Sequence, residues 1–120
     1  MAVRDEVAGD VDAAVQLLLP WVQDADPDIR RFACELTRPR GVWCAQIEAL
    51  KREPWRGLAL LEPLRSDASR YVQNSVGNWL NDASKTQPAW VEETCARWER
   101  ESPTRETHYI VRRARRSMPA

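Results

Sequence analysis

The sequence contains few glycines, very few lysines and no long run of apolar residues. Of its 120 residues only four are glycine and two are lysine, while 43% are hydrophobic. No stretch approaches the roughly 18 uncharged apolar residues that a membrane-spanning helix requires. The acidic N-terminus, residues 1–12, lacks the basic start and apolar block of a signal peptide. We therefore expect a cytoplasmic protein with no membrane segment, folded as one domain over residues 1–120.

Cysteine is also scarce, and its spacing excludes two common kinds of site. Cys34, Cys44 and Cys95 are odd in number, lie far apart and include no CxxC pair. Such a set forms neither a disulfide framework nor a zinc site. The sequence thus predicts reduced cysteines that mostly fill the core, and we expect neither a metal ion nor another cofactor.

The net charge of zero hides an uneven distribution. Residues 1–28 carry a charge of −6 and residues 29–120 a charge of +6, and 16 of the 18 basic residues are arginine. Arginine suits bidentate contacts with phosphate, although a GC-rich genome produces the same ratio. The basic remainder is the stronger indication, since it attracts a polyanion. The acidic end could contact the basic part of a second copy, so a homodimer is also possible.

Glycine and proline divide the chain into short segments with helical periodicity. None of them shows the strict alternation of a half-buried strand, which predicts an all-α class. Asp67 or Ser66 is the expected N-terminal cap of the longest segment. Helices are expected near 10–23, 28–37, 44–52, 55–64, 67–85, 88–101 and 104–117.

Three of these segments share a pattern of a capping residue followed by an apolar-polar-polar-small core. Aligning them on Ile29, Val72 and Val111 gives spacings of 43 and 39 residues. Helix pairs that recur at about 40–47 residues are typical of HEAT and armadillo repeats. The spacing therefore predicts about three HEAT-like helix pairs forming an α-α superhelix, or solenoid. The alternative is a set of unrelated helices that happen to share this pattern.

The segment 67–85 has an unusual polar side. At about 100° per residue its apolar residues fall on one arc, with Arg70, Gln73, Asn74, Gly77, Asn78, Asn81 and Lys85 opposite. Asparagine is a poor helix former, and Asn81-Asp82 is a poor choice near the negative end of a helix. Such local costs suggest a functional surface. In the alternative interpretation, Asn81 and Asp82 only bond a neighbouring helix end.

The last segment is rich in arginine and has no acidic residue among its four arginines. Their mutual repulsion requires an anion or distant carboxylates to balance it. Phosphate contact is the sharper interpretation, and an interface with the acidic N-terminal helix of this or another copy is the simpler one. The four residues are Arg112, Arg113, Arg115 and Arg116.

Three stretches of the chain resemble, in order, the AlkC-type alkylpurine DNA glycosylases. Residues 31–43 resemble that family's "A-x-E-x-x-R-P-R-x-x-W" stretch, and residues 71–85 its "Y-V-R-x-S-V-A-N-x-L-N-D-I-x-K" helix. Residues 109–114 resemble its "W-I-V-R-x-A" close. The middle match is the specific one. Departures from the family are Gln73 for an arginine, Gly41-Val42 for "L-P", Tyr109 for a tryptophan, and a chain about half as long.

The resemblance implies a HEAT-like superhelix that binds duplex DNA and hydrolyses the N-glycosidic bond of cationic N3- or N7-alkylated purines, without full base flipping. The purine is already a charged leaving group, so a carboxylate that stabilises the developing oxocarbenium ion is sufficient. An aromatic face attracts the cation. The resemblance assigns catalysis to Asp82 and Glu35; substrate binding to Trp43, Tyr71, Asn78 and Asn81; and DNA binding to Arg38, Arg40, Arg70, Asn74, Lys85, Arg112, Arg113 and Arg116.

Two other interpretations stay open on the sequence alone. The chain could be a fragment or shortened relative that serves as a non-catalytic HEAT-repeat module binding DNA or a protein. Glu35 could simply pair with Arg31, one helical turn earlier.

Overall fold

The computed structural model describes residues 11–39 and 47–118, and every regular element within these ranges is helical. The first helix, α1, is seen over residues 11–18. The remaining α-helices are α2 (Pro27–Leu36), α3 (Ile47–Arg52), α4 (Leu58–Leu61), α5 (Arg70–Ser84), α6 (Pro88–Glu101) and α7 (Arg105–Ala114). Single 3-10 turns lie at Trp21–Gln23, Pro54–Gly57 and Glu62–Leu64. The predicted all-α class is confirmed, and no described helix is long and apolar enough to cross a membrane.

Two of the expected helices are broken by proline. The N-terminal helix ends at residue 18, and a separate 3-10 turn follows Pro20. The helix expected over 55–64 is instead a 3-10 turn, a four-residue α-helix and a second 3-10 turn that contains Pro63. Proline has no N–H to donate and its ring crowds the preceding turn, so the breaks at Pro20 and Pro63 fall where a helical hydrogen bond is lost.

Side-chain caps fix the starts of three helices. The carboxylate of Asp26 accepts the N–H of Asp28 before α2, and Thr104 accepts the N–H of Thr107 at α7. The cap of α5 is Ser69, which accepts the N–H of Val72, and not Asp67 or Ser66 as expected. Asp67 is occupied elsewhere, since its carboxylate accepts a bidentate ion pair from Arg30 at 2.8 and 3.0 Å.

The core is built around the apolar side of α5. Val72, Val76, Trp79, Leu80 and Ala83 are all fully buried, as the helical arc predicted. The Trp79 indole N–H donates to the hydroxyl of Thr37 at 3.0 Å, so one of the two fully buried tryptophans of the core is also bonded to the end of α2.

Helices α2, α5 and α7 lie side by side and run in the same direction. The first half of α2 is bonded to the residues just before α5, and the residues just after α2 are bonded to the second half of α5. The bonds between α5 and α7 follow the same order. The intervening α6 contacts both α5 and α7. Equivalent helices aligned in a row, with connecting helices between them, are the arrangement of a helical-repeat solenoid.

This row covers α5 on two sides. Gln73, Gly77 and Asn81 were expected to face away from the core, but all three are buried. At Gly77, an added Cβ would lie 2.8 Å from the Cβ of Arg113, so α7 approaches the backbone of α5 at this glycine. A helical wheel separates polar from apolar residues but does not show that a neighbouring helix packs on the polar side, which explains the error.

Candidate functional site

Between the sides covered by α2 and α7, α5 presents one narrow stripe of four residues, Tyr71, Asn74, Asn78 and Asp82, which we call the α5 stripe. These residues are three or four positions apart and so share one side of the helix. Tyr71 is 72% exposed, both asparagines are half-buried, and Asp82 is only 7% exposed. The stripe thus leads from an exposed aromatic ring to a nearly buried carboxylate.

Asp82 is held by an arginine of α2's C-terminal end. Arg38 donates from Nε to Oδ2 of Asp82 at 2.9 Å and from Nη2 to Oδ1 at 3.3 Å. These bonds to Asp82 are the main reason that the pKa of Arg38 is raised. Each carboxylate oxygen retains lone-pair capacity for a further contact. Arg38 was expected to bind DNA, and in the structure its guanidinium is bonded to Asp82.

The second candidate carboxylate, Glu35, is bonded on both oxygens. Oε1 accepts from Nη1 of Arg38 at 3.3 Å, and Oε2 accepts the hydroxyl of Ser75 at 2.7 Å. These partners differ from Arg31, which helical spacing alone suggested. Glu35 and Asp82 therefore flank one guanidinium between α2 and α5.

On its other side the α5 stripe contacts α7. The Tyr109 hydroxyl donates to Oδ1 of Asn74 at 2.6 Å, and Nε of Arg113 donates to Oδ1 of Asn78 at 3.0 Å. Within residues 11–39 and 47–118 the Nδ2 groups of these two asparagines have no acceptor. Both asparagines therefore hold α7 through their carbonyl oxygens and retain amide donors.

Arg70 extends this cluster at the start of α5. Its guanidinium lies 3.6 Å from the centroid of the Tyr109 ring, a cation-π contact. The adjacent guanidinium of Arg70 is the main cause that lowers the pKa of the Tyr109 phenol, and the charge of Arg113 acts in the same direction.

Positive charge accumulates where α7 ends. Tyr109, Arg112, Arg113 and Arg116 line a shallow cavity of about 300 Å³. The pKa of Arg116 is lowered, first by burial and then by repulsion from Arg113 and Arg38. Arg112 is exposed and forms no ion pair with any carboxylate in the described part of the chain. This end of the molecule therefore presents uncompensated positive charge close to Asp82.

The other predicted site residues lie in varied places. Asn81 is 4% exposed; its Nδ2 donates to the Ala114 carbonyl at 3.0 Å and its Oδ1 accepts from Ser117 at 3.4 Å. Asn81 therefore joins α5 to the end of α7, as in the alternative interpretation that it bonds a neighbouring helix end. Its expected contact with substrate stays a prediction. Lys85 is exposed at the end of α5. Arg40 and Trp43 lie outside the described residues.

One residue of the site was not anticipated. Ser75 was assigned no role, yet its buried hydroxyl bonds Glu35 on another helix. Its spacing of seven positions from Asp82, which places both residues on the same side of α5, was the available signal. Among the described residues no group of side chains could hold a metal ion.

Comparison with known proteins places this arrangement in a family. The model of the family described as "DNA alkylation repair enzyme" matches residues 2–118. The uncharacterized protein YhaZ of Bacillus subtilis is 38% identical over 117 residues, which are 98% of this chain and 32% of that protein. The chain therefore spans about a third of the length of this relative.

A solved structure shares the fold. The Pseudomonas fluorescens alkylpurine DNA glycosylase AlkC, bound to DNA containing an abasic site analog, superposes with a TM-score of 0.78 and 36% sequence identity. The match covers 87% of this chain and 29% of the AlkC chain, so AlkC too is much longer. Because the family model matches nearly the whole chain, the chain belongs to the DNA alkylation repair enzyme family.

Proposed function

We propose that this chain forms the catalytic repeats of an alkylpurine DNA glycosylase, which hydrolyses the N-glycosidic bond of cationic N3- or N7-alkylated purines in duplex DNA. The observation that carries the proposal is the setting of Asp82. It lies at the deep end of the α5 stripe, held by Arg38 and close to the uncompensated arginines of α7. The AlkC structure that shares the fold holds DNA with an abasic site analog, which mimics the product of base removal.

The chemistry needs little more than a placed negative charge. An alkylated purine leaves as a neutral base, so positive charge moves to the deoxyribose as the bond breaks. A carboxylate beside the sugar stabilises that charge and can orient the attacking water. We assign this role to Asp82. Because Arg38 fixes both of its oxygens, the carboxylate needs little reorganisation as the reaction proceeds.

The residues around Asp82 supply the expected contacts to DNA. Tyr71 presents an exposed aromatic ring that can lie against the cationic base. The free amide donors of Asn74 and Asn78 and the guanidinium groups of Arg112 and Arg116 can contact backbone phosphates. The arginines lie on one side of the α5 stripe, so the duplex backbone should follow α7.

Base release from methylated duplex DNA tests the proposal. The chain should release 3-methyladenine or 7-methylguanine above the spontaneous rate. Asp82→Asn should lower release by about 10²–10³-fold, the usual loss for one electrostatic contact to a transition state. It should bind duplex at least as tightly as the wild type, since a negative charge is removed near the phosphates. Asp28→Asn, an exposed change of the same type on α2, is the matched control and should release base normally.

The second candidate function is a non-catalytic module that binds duplex DNA. It is favoured by the Arg38–Asp82 ion pair, which joins α2 to α5 and so has a structural role without any catalysis. Salt-sensitive duplex binding without base release would support this module, and undiminished release by Asp82→Asn would refute the catalytic assignment.

A further inference from the structure

A continuous chain of hydrogen bonds crosses between α2 and α5 beside the α5 stripe. The Ser75 hydroxyl donates to Oε2 of Glu35 at 2.7 Å, and Arg38 donates to Oε1 of the same carboxylate at 3.3 Å. Arg38 then donates from two nitrogens to the two oxygens of Asp82. Ser75 and Asp82 are seven positions apart on α5, so the chain starts and ends on the same side of that helix, two turns apart.

The Ser75 hydroxyl takes part in this series of hydrogen bonds and cannot contact DNA. Ser75 is 1% exposed, so a duplex cannot reach it. Serine within a helix commonly bonds a backbone carbonyl of the preceding turn, and Ser84 of the same helix does so, donating to the carbonyl of Asn81 at 2.6 Å. Ser75 instead donates to a carboxylate on another helix.

We propose that Ser75 is a positioning residue of the glycosylase reaction, which fixes Glu35 and through it the guanidinium of Arg38 and the carboxylate of Asp82. The inference rests on the proposed function. Ser75 touches neither substrate nor DNA, and it acts on Asp82 only through the side chains of Glu35 and Arg38.

The physical reason is that Arg38 lies between two competing acceptors. A guanidinium can form a bidentate pair with either carboxylate, and such a pair is planar. The hydroxyl of Ser75 holds Oε2 of Glu35, which leaves only Oε1 for Arg38 and commits Nε and Nη2 to Asp82. Without that hydroxyl, Glu35 can turn and take the bidentate face of Arg38, so Asp82 loses its fixed orientation.

The experiment compares Ser75→Ala with Ser84→Ala, which removes a buried hydroxyl from the same helix but lies outside the chain of bonds. Single-turnover excision from methylated duplex is measured at saturating protein, with duplex affinity measured separately. Ser75→Ala should excise about tenfold more slowly, because small displacements of a reacting group can cost up to 10²-fold in rate. Its duplex affinity should not change, and Ser84→Ala should excise at the wild-type rate.

A spectroscopic measurement separates positioning from stability. In the wild type, the Arg38 Nε–H should give a protected signal in a ¹H–¹⁵N correlation spectrum, assigned by its loss in Arg38→Lys. Ser75→Ala should shift or lose this signal while its thermal midpoint stays above the assay temperature, and Ser84→Ala should retain it. Ser75→Thr, which keeps the hydroxyl, should keep both the signal and the rate.

The outcomes distinguish this inference from the proposed function. If the wild type releases no base, the proposed function fails and Ser75 has no reaction to position, whatever the spectrum shows. If the wild type is active and Ser75→Ala excises at the same rate, or loses affinity alone, or slows no more than Ser84→Ala, the positioning role is refuted while the glycosylase stands.

Discussion

The bond between Asn81 and the end of α7 gives a quantitative test of how the row of helices is held together. Asn81→Ala removes the 3.0 Å bond to the Ala114 carbonyl. A buried polar group left without its partner costs about 1–3 kcal/mol. Alanine returns up to about 0.7 kcal/mol through its higher helix propensity. We therefore expect a net loss of about 1–2 kcal/mol in the free energy of unfolding.

Asn81→Asp sharpens the test because it keeps the shape of the side chain. The carboxylate cannot donate to Ala114, and it lies in the last turn of α5 and at the end of α7, where helix dipoles disfavour negative charge. The loss should exceed that of Asn81→Ala at neutral pH. Burial and the dipoles raise the pKa of the new carboxyl above its unfolded value, so the deficit should shrink as pH falls and the group becomes protonated.

Urea denaturation followed by circular dichroism at two pH values measures both losses, with Ser84→Ala, which removes a hydrogen bond within α5 and none to α7, as the control. Base release per folded molecule is measured in parallel. If Asn81→Ala unfolds at the wild-type urea concentration but releases base more slowly, Asn81 contacts the substrate and the helix-joining role is wrong. If Asn81→Asp does not recover relative to the wild type at low pH, the new carboxyl is not near the Ala114 carbonyl as described.

Two further predictions concern the core. Trp79→Phe should lower the free energy of unfolding by about 1–2 kcal/mol, because the substitution removes a buried hydrogen bond and reduces the volume of the side chain. The control Trp55→Phe, at a 46% exposed position, should change this free energy little. Equal effects of the two substitutions would contradict the burial of Trp79. Burial raises the pKa of Cys34 and Cys95 to about 12. In a Cys44→Ser variant, iodoacetamide should therefore modify these two thiols at pH 8 only as fast as the protein unfolds. Because the unfolded thiols ionise near pH 9, stability should fall as pH rises from 9 towards 12; rapid labelling at pH 8 under native conditions would contradict their burial.

The sequence predicted the helical class and the apolar side of α5 because both follow from local periodicity. It did not predict which residue caps α5, since Ser66, Asp67 and Ser69 are all good capping residues within four positions. The choice depends on Arg30, which lies 37 residues away and binds Asp67. Local rules cannot resolve a competition that is decided by a distant side chain.

The candidate site shows the same limit. Spacing along α5 placed Asn74 and Asn78 on the polar side of the helix, and the structure has both on the α5 stripe. It could not indicate that Arg38 would bond Asp82 across 44 residues, or that α7 would cover the side of α5 that carries Gly77. Helical spacing describes one helix at a time, whereas these roles arise between helices.

The described arginines divide between those that form ion pairs within the fold and those that we propose to contact DNA. Arg30, Arg38, Arg97 and Arg115 each form ion pairs with carboxylates of other segments, and the pKa of each is raised. Much of the positive charge that was expected to attract a polyanion is therefore balanced by carboxylates within the protein. Arg112, Arg113 and Arg116 form no ion pair with a carboxylate in the described part of the chain and lie at the end of α7, so part of the unbalanced positive charge lies close to the Asp82 carboxylate that we propose to be catalytic.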